Sequence, residues 1–227
     1  MKQVYLMIQI VLFLVLVLLV ETNSMIIQPI FSNFFCKTEI DVDHFSILKE
    51  LKKVEYRSVE DETKTYMSKN IKLLNTLTKG KQLKKIINNQ VAKLINELGY
   101  NVKHQLVNSW STKTPANTQG QYHLHNNFWL SAVYYPHGNY LDNYKIQFKS
   151  DRLNFTHFDI PIKNHNLINS STWEVTVEEG SLIIFPALLV HKIKKNTSKQ
   201  DRYSIAINFL PLGKIGASDG YMEYKKI

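Results

Sequence analysis

The stretch "DRYSIAINF", residues 201–209, decides how the second half of this chain folds. Tyr203, Ile205, Ile207 and Phe209 alternate with Arg202, Ser204, Ala206 and Asn208. Successive side chains of a strand point to opposite faces, so one face is apolar and packs. The other face begins with an arginine and a serine two residues apart. An arginine directed into a β-barrel needs an anion, because a buried unpaired charge costs several kcal/mol. That anion is either an internal carboxylate or a bound one. Arginine can grip a carboxylate in bidentate fashion, and Ser204 can add a hydroxyl donor.

Just upstream, "EEGSLIIFPALLVHKI" (178–193) reads as turn, strand, corner and strand. Gly180 supplies the turn, and Pro186 interrupts ladder bonding as a corner residue does. His191 shares a face with Leu189 and Ile193, so it is expected to be buried. A buried histidine needs a partner, and a backbone carbonyl or a metal would serve. Further upstream stands "QYHLHNNFWLSAVYYP" (121–136). If 121–125 is a strand, His123 and His125 share one face and can hold one metal, for which imidazole suits Fe, Zn, Cu and Ni. In a chain with 8 histidines an isolated pair also arises incidentally. His191 is the candidate third ligand.

The surrounding pattern extends the β reading. Runs at 102–110, 128–135, 144–148 and 172–177 are rich in aromatic and β-branched residues and are separated by Gly, Pro, Asn and Asp. With 121–125, 181–185, 188–193 and 202–210 they predict eight short strands between about 102 and 211. Before them, 25–35 reads as a strand and 43–56 as a helix capped by Asp43, with Phe45, Leu48 and Leu51 on one side. Residues 57–70 read as a loop. The stretch 81–98 is the clearest helix, with Leu83, Ile86, Ile87, Val91, Leu94 and Ile95 on one face and Gly99 ending it. Helices followed by strands give a mainly β domain with N-terminal helices, whose β part is a sandwich or a jelly roll.

Composition bounds the rest. The chain has 227 residues, 44% hydrophobic, enough for one sizeable domain. Its net charge is +9, from 28 Lys+Arg against 19 Asp+Glu, but the lysines are scattered and form no stripe along the sequence. A single cysteine, Cys36, excludes an internal disulfide. Residues 4–20 are apolar apart from Gln9 and are preceded by Lys2. They read as a membrane anchor, as a secretory signal with Thr22 and Ser24 near the cleavage point, or as an extension upstream of a start at Met25. The folded domain is expected to span 25–227 after this leader (1–24), in the cytoplasm if translation starts at Met25 and otherwise membrane-anchored or secreted. Asn154, Asn169 and Asn196 stand in glycosylation-type triplets.

Taken in order, "SW…QYHLHNNFWLSAVYY", "EEGSLIIFPALLVHKIKKN" and "RYSIAINF" resemble the Fe(II)- and 2-oxoglutarate-dependent oxygenases, most closely the family found in marine bacteria and their phages. The similarity runs from about residue 25 to 211. It implies a double-stranded β-helix with iron at one mouth of the barrel and 2-oxoglutarate and O2 as co-reactants. It implies that His123 and His191 ligate iron and that Arg202, with Ser204, binds the distal carboxylate of 2-oxoglutarate. Asn208 and Tyr122 are taken as further cosubstrate contacts, and Trp110 and Tyr134 as cavity-lining residues. The chain departs from the superfamily pattern at one position. His125 stands where a carboxylate is usual, so either His125 is the third ligand or Asn127 or water takes that place. The implied activity is hydroxylation of an unidentified protein side chain, nucleic acid or small molecule. Two other readings stay open: a three-histidine cupin dioxygenase that does not use 2-oxoglutarate, and a jelly roll with a binding or structural role and no catalysis.

Overall fold

The alternation in 201–209 becomes the central strand of a β-sandwich. In the computed structural model, which describes residues 33–59, 64–138, 144–150 and 160–226, this strand runs as β10 from Arg202 to Ile215. The other strands in chain order are β1 (Cys36–Glu39), β2 (Tyr56–Ser58), β3 (Tyr66–Ser68), β4 (Lys103–Thr114) and β5 (Leu130–Tyr134). After these come β6 (Lys145–Lys149), β7 (Thr172–Thr176), β8 (Ser181–Pro186), β9 (His191–Ile193) and β11 (Met222–Tyr224). Among the described residues two α-helices precede β4, α1 (His44–Leu51) and α2 (Gly80–Glu97).

The major sheet has the order β1-β8-β5-β10-β4-β3-β2, with β11 added to β10, and all its strand pairs are antiparallel. The minor sheet has the order β7-β6-β9. Irregular backbone at 117–123 runs on beside β9. Asn196 N–H donates to Thr118 O (2.8 Å), Gly120 N–H to Ile193 O (2.9 Å), and His123 and His191 exchange both main-chain bonds (3.0 and 2.9 Å). The expected strand 121–125 is thus a single bridge at His123, bent away at a turn where Asn127 adopts φ 67°. Asparagine tolerates that left-handed conformation better than most residues.

Side-chain alternation splits the interior in two. Tyr203, Ile205, Ile207 and Phe209 join Leu182 and Ile184 of β8 and Leu130, Ala132 and Tyr134 of β5 in a core covered by the helices. The helices contribute Ile47 and Leu51 of α1 and Leu83, Ile87, Val91 and Ile95 of α2. Between the sheets, Val133, Tyr135, Ile183 and Phe185 meet Ile146, Phe148 and Val175. Each fully buried large aliphatic side chain contributes about 1.5–3 kcal/mol. Gly80 is required at the start of α2, because a Cβ there would lie 2.1 Å from the Leu74 carbonyl oxygen.

Several sequence expectations shift. α1 stops at Leu51 instead of 56, since Tyr56 turns into β2 and anchors its hydroxyl on Ser111 Oγ (2.8 Å). Phe45 is exposed, because the buried stripe centres on Ile47 and Leu51. The expected loop 57–70 contains β2 and β3, which extend the major sheet beyond β4. Of the expected strand 25–35, residues 33–35 are not strand and the rest lies outside the described residues, as does the apolar run 4–20. Among the described residues no helix is long and apolar enough to cross a membrane. Asn196 is fully buried and its amide donates to Thr114 O and Gln200 O, so it is not an accessible glycan acceptor in this fold. Asn154 lies outside the described residues.

Candidate metal centre

The pairing of 117–123 with β9 brings His123 beside His191, and the turn at Asn126–Asn127 returns His125 to the same place. His125 N–H bonds Ala187 O (2.8 Å), Ala187 N–H bonds Trp129 O (3.0 Å), and Trp129 N–H bonds Phe209 O (2.9 Å). This backbone ladder ties the histidine segment to β8 and β10. The three imidazoles converge, with ring centroids 4.4–5.3 Å apart. Each offers one ring nitrogen, and those atoms lie within 4.8 Å of one another. His125 and His191 are buried and His123 is exposed, so the group opens at one mouth of the barrel.

In every ring the Nδ1 position is already engaged. His123 Nδ1 lies 2.9 Å from Gln121 O, His191 Nδ1 lies 2.8 Å from Leu189 O, and His125 Nδ1 lies 2.6 Å from Asn208 Oδ1. A carbonyl oxygen can only accept, so each Nδ1 carries a hydrogen, and in a neutral ring so held the lone pair is on Nε2. Fixing the tautomer through the distal nitrogen is how proteins orient imidazole for a metal. Burial pushes His191 down to about 3, with His123 adding to the effect, and burial pushes His125 down to about 4. Both rings are therefore neutral, as a metal ligand must be. Phe148 and Phe185 wall the His191 ring, and Trp110 touches His125 at 5.4 Å between centroids.

The interior face of β10 carries the other half of the site. Arg202 is 1% exposed, and its Nη2 donates to Lys194 O (2.8 Å). Among the described residues its buried Nε and Nη1 have no partner, and neither does the Tyr135 hydroxyl nearby. The guanidinium lies over the Tyr144 ring, 4.9 Å from its centroid. Among the described residues no carboxylate pairs with Arg202. Buried polar groups without partners are rare and mark places where a ligand completes the bonding. Ser204 is buried two residues along the same face, followed there by the small side chain of Ala206 and by Asn208.

The remaining sequence candidates lie elsewhere or act differently. Asn208 orients His125, with Ser131 Oγ bonding both of them (2.9 Å to Nδ1, 2.7 Å to Oδ1). Tyr122 sits on the outer face of the minor sheet, its hydroxyl on Gln147 (2.5 Å) and Lys149 and Lys192 over its ring, away from Arg202. Tyr134 points to the helix side, 2.7 Å from His44 Nδ1, because the β5 alternation sends it there. Asn127 is exposed in the turn. Sequence reasoning missed Ser131, Tyr135, Tyr144 and Asn108. Asn108 faces Asn208 across the sheet and leaves a buried, unpartnered Oδ1. Alternation along β5 could have indicated Ser131 and Tyr135; only the strand register gives Asn108.

Comparison with known proteins shows what this chain is similar to. Residues 108–208, which run from Asn108 to Asn208 and include all three histidines and Arg202, match the family model described as "Putative 2OG-Fe(II) oxygenase". HygX from Streptomyces hygroscopicus, solved with nickel, 2-oxoglutarate and hygromycin B bound, superposes with TM-score 0.57 at 12% identity, over 79% of this chain and 84% of that one. A prolyl hydroxylase from Trichoplax adhaerens, in complex with a hypoxia inducible factor peptide fragment, gives TM-score 0.54 at 12% identity, over 78% of this chain and 84% of that one. A Pseudomonas putida prolyl-4-hydroxylase gives 0.53 at 14%, over 78% and 92%. No curated protein matches the sequence. The fold is the double-stranded β-helix of the 2OG-Fe(II) oxygenases, and residues 108–208 carry that family's sequence pattern.

Proposed function

We propose that this protein is an Fe(II)-dependent oxygenase that consumes 2-oxoglutarate and hydroxylates its substrate. One observation carries the reading: three convergent histidines share a barrel interior with a fully buried arginine whose Nε and Nη1 have no partner among the described residues. In this reading His123, His125 and His191 hold iron through Nε2. Arg202 and the Tyr135 hydroxyl receive the distal carboxylate of 2-oxoglutarate. The short side chains of Ser204 and Ala206 leave room along β10 for an extended dicarboxylate. Iron, 2-oxoglutarate and O2 together supply the oxidising power that the side chains lack.

The protein's own work is positional and electrostatic. Gln121 O, Leu189 O and Asn208 Oδ1 hold the three rings with their lone pairs inward. Phe148 and Phe185 keep water from the His191 side. With His125 in place of a carboxylate, the donor set is neutral, and the metal charge is balanced by the bound dicarboxylate. HygX and the two prolyl hydroxylases support the fold and leave the substrate open. The test is succinate release from 2-oxoglutarate with Fe(II) and ascorbate, compared between wild type and Arg202→Ala. Turnover that depends on both cosubstrate and Arg202 is expected. Iron binding with no response to 2-oxoglutarate would favour a three-histidine cupin dioxygenase instead.

A further inference from the structure

The lysines are dispersed in the sequence, but the minor sheet gathers them. Ile146 and Phe148 of β6 point into the barrel, so Lys145, Gln147 and Lys149 point out. Pairing places Lys192 of β9 opposite Gln147, and Lys194 reaches Glu174 on the same face (2.6 Å). Lys37 closes the edge, donating to Thr176 O (3.0 Å). Glu174 is the only carboxylate in β6, β7, β9 and 117–123. It pairs with Lys145 and Lys194, and neither Lys149 nor Lys192 has a carboxylate partner among the described residues.

Lys149 and Lys192 are held instead over one ring. Their Nζ atoms lie 5.4 and 4.5 Å from the Tyr122 centroid, within cation–π range, and Gln147 fixes the tyrosine hydroxyl. Two ammonium groups sharing one ring repel each other, and an anion between them relieves that repulsion. Beside them opens a cleft of about 610 Å³, formed by Lys64, the backbone and amide side chains of 117–121, Tyr122 and Lys192. Tyr122 directly precedes His123, so this face adjoins the exposed histidine of the metal centre.

We propose that the outer face of the minor sheet binds single-stranded nucleic acid. The lysines take the phosphate backbone, and the amide-lined cleft takes a base. Phosphate contacts supply affinity without sequence preference, while amides read base edges that only an unpaired strand exposes. A membrane surface fits less well, because it requires aliphatic or aromatic side chains that insert, whereas around this cleft amides, lysines and a threonine surround the single ring of Tyr122. The surface stands independently of iron.

The test uses the full chain and a fluorescent single-stranded oligonucleotide of about 20 nucleotides, followed by anisotropy across a salt series. With about four lysine contacts, log affinity against log salt should fall with a slope of about −2 to −3. Lys149→Glu with Lys192→Glu should lower affinity more than about tenfold and flatten the slope by about 1.4, with Co(II) binding at the histidines and thermal melting unchanged. Gln119→Ala with Gln121→Ala should weaken binding without changing the slope. The proposal is overturned if no binding occurs at low salt or if the lysine variant binds like wild type. It is also overturned if phosphatidylcholine–phosphatidylserine vesicles bind and the oligonucleotide does not.

Discussion

The histidine group and the Arg202 pocket share one barrel interior but differ in how far the protein completes them. At the histidines each Nδ1 has its oxygen acceptor, and only the lone pairs that face inward are left over. At Arg202 one guanidinium N–H is satisfied by Lys194 O, while Nε, Nη1 and the Tyr135 hydroxyl have nothing. In the proposed function, the chain would thus build its metal end in advance and leave its anion end unfinished. The difference follows from charge. Neutral imidazoles are stable when buried and hydrogen-bonded, but a buried guanidinium pays its desolvation until an anion arrives.

Substitutions can break that contrast. The largest effect is expected for His191→Ala, which removes a ligand: metal affinity, read by Co(II) titration, should fall more than the roughly 100-fold that losing a ligand's supporting partner costs. Arg202→Met should leave metal binding intact and weaken 2-oxoglutarate about 10–100-fold, since hydrogen bonds to charged groups are worth about 1.5–3 kcal/mol. It should also leave the unliganded fold as stable or more so, because it removes an uncompensated buried charge. A melting temperature that drops sharply would show that Arg202 is a structural ion. Asn208→Ala should lower metal affinity about tenfold with little change in 2-oxoglutarate affinity measured on the metal-loaded protein. A larger loss of cosubstrate than of metal would return Asn208 to the anion end.

Acid sharpens the comparison. The folded pKa values of His125 and His191, about 4 and about 3, lie below the ordinary value of 6.5. The unfolded chain therefore binds protons first as pH falls. Stability without metal should be full above pH about 6.5 and should decline down to about 3, the folded value of His191. Denaturant midpoints measured across that range check this, and a flat profile would contradict the burial of the two rings. The smallest effect is expected for Tyr122→Phe, which lies outside the barrel and should change 2-oxoglutarate affinity less than about twofold, in contrast to Arg202.

Much of the architecture is legible in short-range pattern. Alternation in 201–209 gives both faces of β10, and the spacing of Leu83, Ile87, Val91 and Ile95 gives the buried stripe of α2. Where two patterns compete, the sequence misleads. Phe45 fits a helical stripe that Ile47 and Leu51 occupy, and Tyr56 extends a helical period but is captured by Ser111 for the sheet. The strands β2 and β3 are only three residues each, too short for alternation to register. Tyr134 and Tyr122 have aromatic character suited to a cavity, yet a single step of parity puts them on the outer sides of their sheets.

Residue type and local spacing alone fixed the strand-rich second half, the polar interior face of β10, and the demand of Arg202 for an anion. These follow from periodicity and from the cost of burying charge, which act over a few residues. Only the tertiary structure decided that 121–125 is no strand, that His123 reaches His191 across 68 positions of sequence by main-chain bonding, and that Asn208 hydrogen-bonds His125. It also collected the separated lysines onto one face. Those outcomes depend on strand register, and register is set by the packing of the whole sandwich and not by any segment within it.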